Sequence, residues 1–342
     1  MELQGHLLYI DITQICGIGC AFCMYADKHQ GGMTMELSAL ARENLAALIN
    51  APSVKGISIS GEGEPLNNAK VFHEILGLSN GGKRFEFITS GFFPHAKMAD
   101  FYDETNRIVT TNGDTCNIRL SADSHHIEKV KWRAHGFSID YLQRRQPLGL
   151  SFSFRSIDTD RSFTRQYLIQ DLQHWGIEAD IVEMGPLEDV LRVAGQRLGI
   201  DYKNLVHPAT GTAQGYLDMR GYIAAIEARV NKQFTFGSLN QAPHANGMDV
   251  TIKPNGDVYP YGIETLQLGN MHVDRLDWDL MKTQLLNNPL ARTLYTQPLT
   301  ELLSRLENND LVNSTIARVN NPYWLVKELG SHEGLLQAWE AA

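Results

Sequence analysis

The chain has 342 residues, of which 43% are hydrophobic and 20% are charged, as is ordinary for a globular protein with one barrel-sized domain and a smaller appendage. Its formal net charge of −9 disfavours binding to long nucleic acid, because the phosphate backbone is also negative. The sequence lacks both a basic N-terminal region and any run near the roughly 20 apolar residues of a membrane span. We therefore expect a cytoplasmic protein that does not bind membranes.

Short β-rich runs alternate with helical stretches through the first half of the chain. The predicted strands are 7–15, 54–60, 84–90, 117–123, 148–155 and 178–184, and the predicted helices are about 35–49, 67–78, 94–106 and 163–175. Strands separated by helices of this length are typical of parallel βαβ units. The pattern predicts an α/β fold, with a partial (β/α)6 TIM-like barrel over residues 1–186 rather than a full eightfold barrel.

After residue 186 the pattern changes, and we predict a smaller α+β C-terminal cap over residues 187–342. Residues 189–198 and 221–232 are predicted to be helical, and the last sixty residues mostly helical. Residues 247–252 and 256–259 are predicted strands joined by Lys253-Pro254-Asn255-Gly256. Because Asn-Gly is a strong two-residue turn signal, this segment predicts a β-hairpin within 247–272.

Three of the four cysteines crowd into eight residues directly after the first predicted strand, as Cys16, Cys20 and Cys23 in the spacing C-x3-C-x2-C. Thiolates select zinc, copper(I) or iron–sulfur clusters. Structural zinc usually takes four ligands, and only three thiols lie close together here. A zinc site and an incidental trio of buried cysteines are the alternatives to an iron–sulfur cluster. Three thiolates on a four-iron cluster would leave one iron open to a substrate. A loop at the end of a first barrel strand is also where active sites lie.

A glycine- and glutamate-rich turn, Ser60-Gly61-Glu62-Gly63-Glu64-Pro65, follows the second predicted strand. Glycines at 61 and 63 permit close backbone approach, and a carboxylate can pair with an ammonium group. A solvated turn is the alternative interpretation of this segment.

The order C-x3-C-x-aromatic-C, followed by this Gly-x-Gly-Glu-Pro turn, resembles the signature of the radical S-adenosylmethionine (SAM) superfamily. The resemblance implies that the three cysteines hold one [4Fe–4S] cluster whose open iron binds SAM. It places Phe22 near the adenine, Gly61 and Gly63 at the SAM site, and Glu64 against the SAM ammonium. It also implies an external one-electron reductant such as flavodoxin or ferredoxin, and a 5′-deoxyadenosyl radical that abstracts hydrogen from a substrate.

Polar residues at other predicted strand ends are further candidates for SAM contacts. They are Ser90, Ser121, Asp123, Ser153 and Arg155. Each of them is equally consistent with an ordinary polar residue at a barrel rim. Cys116 is predicted to be structural, because it lies just before the fourth predicted strand. That position is at the amino ends of the strands, on the barrel face opposite to the active site.

The predicted hairpin resembles that of SPASM or twitch extensions, in which a cysteine of an auxiliary cluster follows the second strand. Tyr261 stands at that position, and no cysteine follows it. We therefore expect no second cluster and a redox-neutral reaction, such as C–C coupling, epimerisation or elimination. The leading hypothesis is an enzyme acting on a small polar substrate (a sugar, nucleoside or aminoglycoside) in natural-product or antibiotic biosynthesis. The alternatives are a peptide-modifying radical SAM enzyme and a non-catalytic metal-binding or redox-sensing protein.

Overall fold

A computed structural model describes residues 6–20, 23, 32–204, 217–231, 233–238 and 247–330. The chain forms two compact units, each made of separate segments. The barrel unit contains Ile10–Glu36 and Gly56–Lys203, and the cap unit contains Met1–Tyr9, Leu37–Lys55 and Asn204–Ala342. Within the described ranges, no helix combines the length and the apolar character needed to cross a membrane.

Strands and helices alternate through the first half of the described chain. The strands are β1 His6–Asp11, β2 Val54–Ser60, β3 Arg84–Thr89, β4 Thr115–Ser121, β5 Leu150–Ile157, β6 Ala179–Gly185, β7 Glu188–Val193, β8 Gln196–Lys203, β9 Val250–Ile252, β10 Asp257–Pro260 and β11 Gly269–Asn270. The helices are α1 Ala39–Asn50, α2 Ala69–Leu76, α3 His95–Asn112, α4 Ser124–Lys129, α5 His135–Arg145, α6 Arg161–His174, α7 Met219–Val230, α8 Trp278–Asn287, α9 Pro289–Thr296, α10 Leu299–Arg305, α11 Asp310–Ile316 and α12 Pro322–Gly330.

The barrel unit is built on one sheet with the strand order β1-β2-β3-β4-β5-β8-β7-β6. The pairs β2–β3, β3–β4, β4–β5 and β5–β8 are parallel, whereas β7 pairs antiparallel with both β8 and β6. The sheet does not close on itself, so the predicted partial TIM-like barrel is confirmed.

One face of this sheet is covered by helices. Phe87 of β3 contacts Phe72 of α2 and Phe101 of α3, with ring centroids 4.3 and 5.0 Å apart. Phe85, Ile118 and Phe154, which alternate with more exposed residues along their strands, are also buried. This period-two pattern points polar side chains of the same strands to the other face.

The sequence-based assignment of residues 178–198 was partly wrong. Residues 189–198, predicted as a helix, form most of β7 and the start of β8, and the sixth parallel strand is β8 rather than residues 178–184. Val193 pairs with Gln196 across Ala194 and Gly195, whose φ angles are +48° and +76°. A two-residue hairpin turn needs both central residues at positive φ. Because alanine rarely adopts that conformation, Ala-Gly gave no turn signal.

The cap unit brings α1 together with segments more than 200 residues away in sequence. The Asn44 amide donates to the backbone oxygens of Met271 and Asp274, both at 2.8 Å, and its oxygen accepts from Leu276 N at 3.0 Å. The His6 ring stacks on Trp278 at 4.5 Å, and its Nδ1 accepts from Met248 N at 3.0 Å. These contacts anchor α1 and the start of β1 within this unit.

The predicted hairpin in the cap unit is confirmed. Strands β9 and β10 pair antiparallel, and Gly256 turns the chain with φ +88°. Tyr261, at the position of the missing cysteine, packs edge-on against Tyr9 with ring centroids 5.2 Å apart. The resemblance of this hairpin to a SPASM or twitch extension stays a prediction.

Candidate functional site

The loop that carries the three cysteines begins at the end of β1 and belongs to the barrel unit. Ile12 N donates to Ser60 O at 3.0 Å, and Thr13 forms an isolated antiparallel bridge with Thr34. Cys20 is buried, while Cys16 and Cys23 are partly exposed. The Cys20 thiol lies 4.0 Å from His125 O of α4, and Cys23 N donates to Cys20 O at 3.0 Å. The loop therefore begins at the carboxyl end of the sheet and packs against the segment after β4.

The charges around Cys20 disfavour a bare thiolate. Burial raises its pKa to about 12, and so do the neighbouring charges of Asp123, Cys16, Cys23 and Glu64. The three thiols are thus near enough to influence one another, and a positively charged metal centre would offset their repulsion. No group of three or more His, Cys, Asp or Glu side chains among the described residues converges as a single-ion site. Four-iron clusters are held by cysteine thiolates, so these three thiols fit such a cluster by ligand type.

The turn after β2 contacts the start of the cysteine loop through its backbone. Gly63 N donates to Thr13 O at 3.0 Å, and Glu64 N donates to Ile15 O at 2.9 Å. A Cβ at Gly63 would lie 2.3 Å from Ile15 O, and one at Gly61 would lie 2.6 Å from Thr13 O. Only glycine fits so close to another backbone. The two glycines therefore allow the turn after β2 to pack against the backbone of residues 13–15. Their contact with SAM stays a prediction.

The carboxylate of Glu64 is buried and accepts four hydrogen bonds from the protein. Its Oε1 accepts from Leu66 N at 3.1 Å and from Thr89 Oγ1 at 2.5 Å, and its Oε2 accepts from Ser90 N at 2.8 Å and Ser90 Oγ at 2.6 Å. These bonds tie the turn after β2 to the end of β3. Two of the predicted site residues, Glu64 and Ser90, are thereby brought into direct contact.

A second buried glutamate, Glu62, lies two residues before Glu64. Its Oε2 accepts from Gln14 Nε2 at 2.8 Å, and Gln14 Oε1 accepts from Met33 N at 3.0 Å. Glu62 therefore faces the segment that leads into the cysteine loop. Glu62 stands at the unspecified position of the Gly-x-Gly-Glu motif, so no role was predicted for it.

Asp123 and Ser121 lie at the carboxyl end of β4. The Asp123 carboxylate begins α4, accepting from His126 N at 3.1 Å and from the His126 ring at 2.8 Å. Burial raises the pKa of Asp123, but the hydrogen bonds and charge of His126 outweigh this and lower it overall. Ser121 is half-buried, and its backbone oxygen accepts from His135 Nε2 at 2.9 Å.

Charged and polar side chains line the face of the barrel sheet that is not covered by helices. Arg119 Nη2 contacts Glu86 Oε1 at 2.5 Å, and its Nε lies 3.7 Å from Asp201 Oδ1. Arg155 Nε donates to Asp201 Oδ2 at 2.6 Å. Ser153 Oγ accepts from Asn117 Nδ2 at 2.8 Å. Of the predicted residues, Arg155 and Ser153 belong to this polar face, and each has a protein partner there.

Lys203 is a residue at the site that the sequence analysis missed. It is the last residue of β8 and pairs in register with Ile157 of β5. Burial and the charge of Arg155 lower its pKa, whereas the charges of Asp123 and Cys23 act in the opposite direction. The Lys203 amine thus lies near enough to Cys23 for the charge of that thiol to affect it. The signal was present in β8, where Leu198, Ile200 and Tyr202 alternate with polar residues.

Cys116 is remote from the cysteine loop along the sheet. It is the second residue of β4 and fully buried, and it pairs in register with Phe85 and Leu150 near the amino ends of their strands. Burial raises the pKa of its thiol. This position agrees with a structural role.

No protein-family model matches the sequence, and no curated protein matches it. Two solved structures share the fold. "Native anSMEcpe with bound AdoMet and Cp18Cys peptide" matches at a TM-score of 0.53 and 11% identity, over 86% of this chain and 85% of that chain. "His6 tagged anSMEcpe with bound AdoMet" matches at 0.51 and 12%, over 86% and 84%. AdoMet is SAM. At these identities the likeness establishes the fold alone.

Proposed function

We propose that this chain, which has the fold of radical SAM enzymes, is itself such an enzyme. One observation carries the proposal: the C-x3-C-x2-C loop lies at the carboxyl end of β1, and the Gly-x-Gly-Glu turn after β2 is hydrogen-bonded to its first residues. Two separate sequence motifs therefore meet at the edge of a parallel sheet where α/β proteins bind their ligands.

In this proposal Cys16, Cys20 and Cys23 hold one [4Fe–4S] cluster, and SAM binds beside it. When bound and reduced, the cluster would supply the electron that cleaves SAM to methionine and a 5′-deoxyadenosyl radical, which abstracts hydrogen from the substrate. The chain's own residues bind and orient. Lys203 is a candidate partner for the SAM carboxylate, because its amine lies near Cys23 at the carboxyl edge of the sheet.

The SAM ammonium needs an acceptor, and two buried glutamates are near the cysteine loop. Glu64 already accepts four protein hydrogen bonds, so an ammonium there would have to share an oxygen with these donors. Glu62 lies on the side of the turn that faces Gln14. We retain Glu64 as the proposed partner and take Glu62 as the residue against which to compare it.

The polar face of the barrel sheet supports a small polar substrate such as a sugar, nucleoside or aminoglycoside. Side chains of Glu86, Asn117, Arg119, Arg155 and Asp201 offer both donors and acceptors, which suits a ligand with several hydroxyl or amino groups. With Tyr261 in place of an auxiliary-cluster cysteine, a redox-neutral outcome in natural-product biosynthesis follows from the same proposal. A cytoplasmic location fits a protein with reduced thiols.

Peptide modification is the second candidate. One of the matched structures has a bound Cp18Cys peptide, and the fold therefore accommodates such ligands. The two candidate functions predict different results when a side chain of the polar face is changed. For a small polar substrate, Arg119→Lys, which loses the planar fork of guanidinium donors on the polar face, should lower substrate turnover while SAM cleavage without substrate persists.

Anaerobic reconstitution tests the proposed function. The wild-type protein should bind about four irons and, on reduction, release 5′-deoxyadenosine from SAM. Cys20→Ala should abolish both. Cys116→Ala is the matched control, since it removes a buried thiol at the opposite end of the strands and should leave iron content and SAM cleavage unchanged. Zinc in place of iron, or a reconstituted cluster without SAM cleavage, would favour the non-catalytic metal-binding or redox-sensing alternative.

A further inference from the structure

A group of exposed basic residues lies on the barrel unit beside the segment that contacts Cys20. We call this group the Lys131 patch; it consists of Lys97, Lys129, Lys131, Trp132 and Arg133, all of which are exposed. The exposed carboxylates closest to it in sequence are Asp100 and Glu128. On a chain whose formal net charge is −9, these four cations make the patch locally positive.

Contacts through His95 hold two parts of the chain together in this patch. His95 Nε2 lies 2.9 Å from Arg133 O, and its ring centroid is 6.2 Å from that of Trp132. Lys97, two residues after His95, lies over the Phe93 ring at 3.8 Å, and Lys131 Nζ is 5.1 Å from the Trp132 ring. The start of α3 and the segment after α4 are therefore in contact through His95, and each of them carries exposed cations.

The Lys131 patch is also close to the proposed cluster. The Cys20 thiol lies 4.0 Å from His125 O, and Lys129 ends the same short helix, α4, four residues later. At a rise of about 1.5 Å per residue, the patch begins roughly 6 Å along the helix axis from that contact. The segment 125–133 thus runs from the contact with Cys20 to exposed positive charge.

We infer that the Lys131 patch is the docking surface for a small acidic protein that delivers single electrons to the cluster. This inference rests on the proposed function, which consumes one electron for each reductive cleavage of SAM. The partner's reduced low-potential centre loses one electron, the cluster gains it, and no bond or proton changes place in this step. Opposite charge steers such encounters, and an exposed tryptophan with flanking arginine is typical of the centre of a protein interface.

The test compares a protein reductant with a small one on the reconstituted, full-length enzyme. The reductants are a purified acidic [2Fe–2S] ferredoxin and reduced methyl viologen, and the readout is 5′-deoxyadenosine released from SAM. The test variant is Lys97→Glu with Lys131→Glu. The control variant, Lys70→Glu with Arg84→Glu, changes the net charge equally at exposed positions on α2 and at the amino end of β3. Iron content and the absorbance spectrum establish that each variant holds its cluster.

With ferredoxin, kcat/KM for the reductant should fall about tenfold or more in the test variant and less than twofold in the control. Added salt should lower the wild-type rate with ferredoxin and have a weaker effect on the test variant. With methyl viologen all three proteins should cleave SAM at the same rate. Equal rates of the test and control variants with ferredoxin would overturn the inference while leaving the proposed function intact. Absence of SAM cleavage by the wild-type enzyme with methyl viologen would overturn both.

If the double variant fails to hold its cluster, Trp132→Ala and Lys131→Ala are the milder substitutions. Each should raise KM for ferredoxin without changing the methyl viologen rate. A loss of activity with both reductants in these variants would mean that the patch acts through the fold and does not dock a partner.

Discussion

The Glu64 carboxylate is the buried group whose alteration makes the sharpest prediction. Its Oε1 accepts from the backbone N–H of Leu66, and its Oε2 accepts from the backbone N–H of Ser90. In Glu64→Gln the new NH2 group must face one of these two N–H groups, whichever way the amide is turned. The hydroxyls of Thr89 and Ser90 could rotate and accept a hydrogen bond from this NH2 group. A backbone N–H can only donate.

The expected loss of stability follows from the number of bonds affected. A hydrogen bond to a charged group contributes about 1.5–3 kcal/mol, and a buried donor left without an acceptor costs about 1–3 kcal/mol. Small movements of the turn after β2 relieve part of this cost. We therefore expect Glu64→Gln to lower the free energy of unfolding by about 3 kcal/mol.

Urea unfolding of the cluster-free protein, followed by tryptophan fluorescence, measures this difference. Glu62→Gln is the matched control, because one orientation of its amide keeps an oxygen toward Gln14 Nε2, the donor observed at 2.8 Å; its loss should stay below about 1 kcal/mol. If Glu64→Gln unfolds within 1 kcal/mol of the wild-type protein, or no more easily than Glu62→Gln, the assignment of these bonds is refuted.

Three further predictions concern stability and pH. Asp189→Asn should destabilise the protein by about 3 kcal/mol in urea unfolding, because the carboxylate is fully buried between Arg161 and Arg165; a change below 1 kcal/mol would contradict this. Ala194→Asn should raise the melting temperature by relieving about 1 kcal/mol of left-handed strain, given its φ of +48°, and an unchanged or lower value would count against it. Burial lowers the pKa of His6 to about 4, so between pH 6.5 and 5 the unfolded chain binds a proton that the folded chain does not, and stability falls by up to about 2 kcal/mol. His6→Asn should show a smaller fall over the same range, and an identical fall would exclude this histidine as its source.

The regular elements of the barrel unit were predictable because their signals are local. The predicted strand 54–60 agrees with β2, and the predicted strands near 84–90 and 117–123 lie within two residues of β3 and β4. The helices α4 and α5 between β4 and β5 were missed. Neither shows a strong apolar period, since α5 buries residues such as His135 and Ser138 through hydrogen bonds rather than through an apolar face.

The candidate site was predictable only in part. The cysteine loop and the turn after β2 are short motifs, and the residue types within each motif indicate its chemistry. The four bonds on Glu64 depend on the register between β2 and β3 and on a turn that carries Leu66 back to the carboxylate, which no local pattern specifies. Lys203 was missed because the preceding residues 189–198 were predicted to form a helix. Only the pairing of β8 with β5 places Lys203 at the carboxyl edge of the sheet.

The contacts of Asn44 have a consequence for how the protein is made. Its amide bonds to residues 227–232 positions later in the chain. At about 5–20 residues per second, the ribosome synthesises α1 roughly 10–45 s before the segment that completes its hydrogen bonds. The α1 residue Asn44 therefore lacks these hydrogen-bond partners in the nascent chain while the barrel unit is translated. Truncated chains that end before residue 276 would lack the Leu276 N–H that donates to Asn44, so truncations of this protein should keep this segment.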